Sequence, residues 1–414
     1  MRPSIHLPLA AVLLAALPPL GAAADEPVPA DKAVLVVRLP AGATLTIGDH
    51  VAKQTGAERI FITPPLAAGK TYAYDLKATW EENAKKKTVT REVIVPLGKR
   101  TVIDLNAEPA TTADKPSPPK KRTFLFTYAG TVTGLDAGQK ARVWLPVPPT
   151  NDDQEVKRLK QQLPVVPQQD KDPQYGNQVL YFEAEADKDG NIPFSRTYRV
   201  TRREVRGADK DKADDALVPR FLEPDKLVPI EGKPLALLQD KELPKDPMAA
   251  AKVIYDVVNG HMKYDKSGTG WGNGDAVWAC DNKRGDCTDF HSLFISLARA
   301  NKIPAKFEIG FSIPQKLSEG EVAGYHCWAK FRAEGQGWVP VDISEAYKDP
   351  RLQDYYFGNL TADRVGFCTG RDITLVPKQD GEPLNFFIYP YVEVDGTEYP
   401  AGKVKRKFSF KDVE

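Results

Sequence analysis

Alternation between apolar and polar residues predicts strands through most of the first half of the chain. Residues 34–37 form a short apolar run, 43–47 another, and 71–80 a longer alternating stretch. Segments 88–95 and 101–105 complete five candidate strands, punctuated by Gly42, Gly48, Pro64-Pro65 and Gly98. Residues 33–106 therefore predict a small all-β domain, with Lys85-Lys86-Lys87 at a solvated hairpin tip. Residues 107–122 carry Pro109, Pro116, Pro118 and Pro119 among Thr, Asp and Lys. Such a segment buries no core and predicts an extended linker. The two-residue period resumes at 124–128, 141–145, 179–184 and 197–201, which predicts an antiparallel β-sandwich over 123–245. Its last part, 205–245, is charged and Pro-containing and reads as a wrapping connection.

The period then changes to that of a helix. Asp246 is a good N-cap and Pro247 suits the first helical position. Ala250, Val253, Ile254, Val257 and Val258 make one stripe, which Asn259-Gly260 ends. A second helix is predicted from Asp286-Cys287 to Arg299. Phe290, Leu293, Phe294, Leu297 and Ala298 supply its i, i+3, i+4, i+7, i+8 pattern, and Ile303-Pro304 stops it. Two strands, 325–332 and 338–343, follow around a turn at Ala333-Glu334-Gly335. A length of 414 residues supports two or three domains, and 246–414 reads as an α+β domain with C-terminal strands.

Composition narrows the picture in three places. With 57 Lys+Arg against 56 Asp+Glu, the net charge of +1 gives no reason to expect a nucleic-acid partner. The opening residues pair a basic start at Arg2 with an apolar stretch, 7–20, and the small residues Ala22-Ala23-Ala24 before Asp25 and Glu26. That apolar stretch is short of the roughly 20 residues a bilayer span needs. Residues 1–24 therefore read as a cleaved export signal, placing the protein in the periplasm or outside the cell. No later stretch reads as a transmembrane helix. All four cysteines, Cys280, Cys287, Cys327 and Cys368, lie in the C-terminal third, which is not the distribution of a disulfide-stapled scaffold, although one bridge remains compatible with it.

Cys287 opens the second predicted helix, where unpaired backbone N–H groups and the positive dipole end favour a thiolate and a developing oxyanion. Asp286 and Asp289 oppose this, so a cationic partner is required. Two histidines compete for that role. His291 shares a helix face with Cys287 at i+4. His326 stands on the first strand of the later pair; if Arg332 pairs with Gln336, it falls directly opposite Asp342, and a carboxylate so placed orients the imidazole. A zinc reading of Cys280, Cys287, His291, His326 and Cys327 lacks the short paired-ligand spacing of structural sites. The run Gly268-Thr269-Gly270-Trp271-Gly272-Asn273-Gly274 lacks phosphate-loop spacing and reads as a loop over a cleft.

At these residues the sequence resembles the transglutaminase-like superfamily, which shares its catalytic arrangement with papain-type cysteine proteases. The resemblance rests on Gly285-Asp286-Cys287-Thr288-Asp289-Phe290, Ala298 to Ala305, Tyr325-His326-Cys327-Trp328 and Gly337-Trp338-Val339-Pro340-Val341-Asp342. The order Cys, His, Asp at spacings of 39 and 16 also fits. It implies a papain/transglutaminase-like core with Cys287 as nucleophile, His326 as base and acid, and Asp342 as the orienting carboxylate. The implied activity is on amide bonds of proteins or peptides, cell-wall peptides among them, by hydrolysis or by transfer to an amine. A non-catalytic binding module is the alternative. Neither a cofactor nor a metal is expected. Trp271 and Trp278 lie where related enzymes sometimes place an oxyanion donor. Cys327 stands where the family usually has a small residue, and on a strand it is expected to point away from His326. Residues 33–106, with Val36 to Pro40 and Gln54-Thr55-Gly56 before Phe61, resemble a small secreted β domain that recurs in planctomycete proteins.

Overall fold

The computed structural model describes residues 28–29, 31–48, 50–66, 73–82, 85–95, 98, 100–106, 120–207, 215–333 and 337–413. The expected export segment, 1–24, and residues 107–119 of the expected linker lie outside them. The chain divides into two compact units, Met1–Ser117 and Pro118–Glu414.

In the first unit Val34–Arg38 pairs antiparallel with Glu58–Ile62 and parallel with Arg100–Asp104. A second sheet runs in the order His50–Val51, Thr44–Ile47, Ala73–Glu82, Lys85–Ile94. Leu35, Val37, Leu45, Leu76, Ala78 and Val89 form the core. The strand Glu58–Ile62 escapes an alternation test because it opens Glu-Arg; Arg59 is nonetheless buried, donating to the carbonyls of Gly56 and Ala43. Lys85-Lys86-Lys87 is not a hairpin tip but the start of a strand, and Lys87 pairs with Glu82 at 2.9 Å.

The second unit contains two five-stranded antiparallel sheets. One runs Gln154–Gln162, Ile192–Arg203, Lys121–Val132, Val404–Asp412, Glu319–Glu321. The other runs Gln168–Lys171, Gln178–Glu185, Lys140–Val147, Tyr391–Val394, Thr397–Glu398. Both take strands from the two ends of the unit, so the expected boundary between 123–245 and 246–414 is absent: hydrogen-bonded ladders join the last strands of the chain to Lys121–Val132 and Lys140–Val147.

A four-stranded sheet positions the site. Its order is Gly337–Val341, Tyr325–Ala333, Ala305–Ser312, Arg364–Thr369, all antiparallel. Four helices accompany it: α1 (Pro247–His261), α2 (Ala276–Asn282), α3 (Cys287–Ala300) and α4 (Ile343–Lys348). The cap expected at Asp246 forms, its carboxylate accepting from the Ala249 N–H, but α1 runs through Asn259-Gly260 to His261. Helix α2 has no counterpart in the periodicity analysis; seven residues are too few to show a helical stripe.

Helix α3 packs on the two central strands and against α1, α2 and α4. The apolar stripe accounts for only part of it, since every residue from Cys287 to Arg299 is buried. Its polar residues are therefore bonded rather than solvated, as burial requires. Arg299 donates to the Asp225 carboxylate at 2.6 Å and to the Ala305 carbonyl at 2.9 Å.

A buried charge network fixes this four-stranded sheet to its neighbour. The Asp153 carboxylate meets Lys330 at 2.9 Å and Arg202 at 3.3 Å, Lys306 meets Glu308 at 3.1 Å, and the Trp328 indole donates to Glu308 at 2.6 Å. Burial pushes the Asp153 carboxyl up, but Lys330 and Arg202 more than offset this and hold it well below the usual carboxylate range.

Candidate active site

The strand register differs from the expected one. Ala333 pairs with Gly337, Arg332 with Trp338 and Lys330 with Pro340, a two-residue displacement from an Arg332–Gln336 pairing. Gly337, at φ +97°, enters the strand opposite Ala333; of the turn expected at Ala333-Glu334-Gly335, residues 334 and 335 lie outside the described residues. Asp342 does not oppose His326 across a ladder. It leaves the sheet after Val341 and becomes the N-cap of α4. Because side chains alternate with period two, a two-residue displacement keeps face parity where a one-residue slip would reverse it. His326 still reaches the carboxylate, with Nε2 and Asp342 Oδ2 2.7 Å apart.

Asp342 is fully buried and engaged on both oxygens. Oδ2 also accepts from Arg364 Nη1 at 3.1 Å, while Oδ1 accepts from the Ser344 hydroxyl at 3.1 Å and the Glu345 N–H at 3.2 Å. Burial would raise its pKa, but His326 and Arg364 outweigh it and hold the carboxyl far below its ordinary range. With Nε2 committed to Asp342, His326 also interacts with Cys287, and each shifts the other's protonation equilibrium. The three residues singled out in the sequence thus lie together, in the order carboxylate, imidazole, sulfur.

Cys287 is the first residue of α3, beneath a reciprocal capping box. The Asp286 side chain accepts from the Thr288 N–H at 2.8 Å and from the Asp289 N–H; Asp289 in turn accepts from the Asp286 N–H at 2.9 Å. Gly285 makes this possible. It sits at φ +151°, and a Cβ there would fall 2.2 Å from Asp289 Oδ2. The capping box uses the N–H groups of Thr288 and Asp289 and leaves that of Cys287 pointing out of the helix end.

Residues 236–343 match the model of the Transglutaminase-like superfamily. The C-terminal half carries a transglutaminase-like domain. The matched segment contains Cys287, His326 and Asp342. An uncharacterized protein of Haemophilus influenzae is 35% identical over 191 residues, an alignment covering 38% of this chain and 52% of that one, so the chain spans about half the length of this curated relative. Among solved structures, a candidate cysteine protease from Cytophaga hutchinsonii is 16% identical, with 70% of this chain and 98% of that chain covered at a TM-score of 0.42. A candidate protease from Parabacteroides distasonis is 10% identical, with 76% and 63% covered at a TM-score of 0.21.

Within the transglutaminase-like domain, burial would raise the Cys287 thiol. The neighbouring Cys327 and His326 side chains and the charge of His326 overcome it, and the pKa falls to about 6. Burial would likewise lower His326, but the Asp342 charge and hydrogen bond, with Cys287 behind them, raise it to about 10. Between those values the stable state is a thiolate–imidazolium pair.

His291, the rival base, is fully buried and already committed. Its Nε2 accepts from the Ile343 N–H at 3.1 Å, which places the proton on Nδ1, 3.5 Å from Cys327 Sγ. Burial lowers its pKa to about 4, so the ring stays neutral near pH 7. Cys327 is fully buried, its sulfur set against His291, and it and Cys287 influence each other's protonation. All four cysteines are free thiols.

The Gly-rich loop is a fixed wall. Asp289 accepts from the Gly272 N–H at 2.8 Å and the Gly274 N–H at 3.0 Å, and Arg371 donates to the Asn273 carbonyl at 2.8 Å. Tyr325 bridges wall and helix, its hydroxyl donating to Asp286 Oδ2 at 3.0 Å. The Trp271 indole donates to Gly268 O at 3.1 Å, within its own loop, and Trp278 lies against Gly270. A cavity of about 630 Å³ adjoins the site, lined among others by Lys266, Tyr325, Glu345, Lys348, Tyr356 and Arg364. Arg364 and Arg371 escaped the sequence reading. Both lie beyond the matched segment on a strand and its exit, and nothing local marks an arginine as aimed inward.

Proposed function

We propose that the protein is a cysteine enzyme acting on amide bonds of proteins or peptides, with Cys287 as nucleophile, His326 as acid and base, and Asp342 as the orienting carboxylate. The observation that carries this reading is the buried Asp342–His326 hydrogen bond, with the imidazole interacting in turn with Cys287 at the start of a buried helix. The thiolate attacks the carbonyl carbon and His326 gives its proton to the departing amine, leaving an acyl group on Cys287. The carbonyl oxygen that gains charge is received by the Cys287 N–H at the helix end. An incoming water then loses a proton to His326 and releases the acid. Asp342 keeps Nε2 occupied throughout, so the other ring nitrogen faces the sulfur.

Hydrolysis is the favoured outcome; transfer to an amine uses the same steps with a different acceptor. The basic, apolar and small-residue opening of the chain supports an exported enzyme, whose mature N-terminus would follow Ala24. Purified protein is to be incubated with casein, with and without a labelled primary amine. Release of free amino groups supports hydrolysis, and incorporation of label supports transfer. A Cys287→Ala variant that keeps either activity removes the reading, and so does loss of activity in neither His326→Ala nor Asp342→Asn.

A further inference from the structure

Cys327 is a second thiol at the site, and the amide chemistry has no step for it. It is fully buried one residue after His326, and its sulfur stands 3.5 Å from Nδ1 of His291, which lies one turn after Cys287 on the same face of α3, so Cys327 faces the helix surface that carries Cys287. Burial foremost, and the neighbouring Cys287, hold it protonated. A small apolar residue would fill that volume without bringing a sulfur to the nucleophile.

We infer that Cys327 is a resolving cysteine, which captures Cys287 as a reversible disulfide after attack by a peroxide. This rests on the reading of Cys287 as a reactive thiolate. The thiolate sulfur attacks one peroxide oxygen; the O–O bond breaks, hydroxide leaves, and the sulfur is oxidised by two electrons to a sulfenic acid. The Cys327 sulfur then attacks the sulfenic sulfur. An S–S bond forms, the S–O bond breaks, and the Cys327 proton leaves with the hydroxyl group as water. The peroxide is reduced to water and hydroxide, which takes up a proton from solvent. Because α3 packs directly on the Tyr325–Ala333 strand, the two sulfurs lie on facing surfaces, and closure brings them to the roughly 2.05 Å of a disulfide. The Nδ1–H of neutral His291, aimed at the Cys327 sulfur, stabilises the negative charge that develops there as its proton departs. The disulfide occupies the nucleophile and protects it from irreversible oxidation to sulfinic and sulfonic acids.

The test exposes the intact protein to increasing hydrogen peroxide, blocks remaining thiols with iodoacetamide, and digests it without reductant for mass spectrometry. The expected product joins the Cys287 and Cys327 peptides at a mass two hydrogens below their sum. Dithiothreitol should abolish that product and restore iodoacetamide labelling of Cys287. In Cys327→Ala the linked peptide disappears and labelling is no longer recovered, whereas Cys280→Ala behaves as the unchanged protein. Cys287 found as sulfinic or sulfonic acid beside an unmodified Cys327 overturns the inference, as does full recovery of labelling in Cys327→Ala. A protein that forms the linked peptide but shows no amide chemistry refutes the catalytic reading and leaves this one standing.

Discussion

Replacing Asp342 with Asn removes one charge and leaves nearly the same shape, which isolates what the carboxylate does. Its Oδ2 holds His326 at 2.7 Å and Arg364 at 3.1 Å in full burial. The rise of His326 from 6.5 to about 10, net of burial, represents about 5 kcal/mol of preference for imidazolium at about 1.4 kcal/mol per tenfold. Without the carboxylate, burial dominates and the ring becomes neutral near pH 7, so Cys287 loses its cation and returns at least to the ordinary range near 9. The thiolate fraction at pH 7 then falls from about nine tenths to about one hundredth, and the iodoacetamide rate of Cys287 falls by roughly 100-fold. The assay is the second-order alkylation rate against pH, followed by mass spectrometry at the Cys287 peptide. The unchanged protein should level off above about pH 6 and Asp342→Asn only above about pH 9. Arg364 is left as a buried charge facing a neutral amide, at a cost of about 3–5 kcal/mol in stability, so rates are to be taken below each variant's own melting temperature. Superimposable pH profiles for the two folded proteins would refute the argument that Asp342 sustains the ion pair.

Four further outcomes follow from the packing around the site. Asp289→Ala frees the Gly272 and Gly274 N–H groups, and amide hydrogen exchange at both should accelerate while α1 is unaffected. Lys330→Met leaves Asp153 and Glu308 facing one cation fewer in a buried network, for a loss of about 3–5 kcal/mol by denaturant melt. Because Asp153 is held below its ordinary range, the stability it supplies is complete above about pH 4 and is lost as pH falls further, and Lys330→Met should flatten that acid limb. Gly310→Ala puts a Cβ 1.9 Å from the Val365 carbonyl oxygen, directly beside the His326 pairing position, and should destabilise by about 1–3 kcal/mol or more. A thermal melt unchanged by that substitution contradicts the close approach of the two strands.

Local chemistry was legible wherever a residue's role depends on its immediate neighbours. Asp246 before Pro247, the stripe from Phe290 to Ala298 and the strand-forming alternation at 141–145 reflect caps and periodicities that act within a few residues. Its place at a helix start made Cys287 a candidate, and the family resemblance decided it. The choice of His326 over His291 came only with the family resemblance, because both stood within plausible reach. Tertiary structure decided the remainder. It tied His291 to the Ile343 N–H, set Cys327 against His291, displaced the expected register by two residues and brought Arg364 to Asp342. It also made one unit of segments expected to be two, since the final strands close sheets begun at Lys121 and Lys140. Pairing across such separations leaves no periodic trace in either segment. The orientation of a buried arginine or thiol is set by the cavity that encloses it, and that cavity exists only after the distant strands have met.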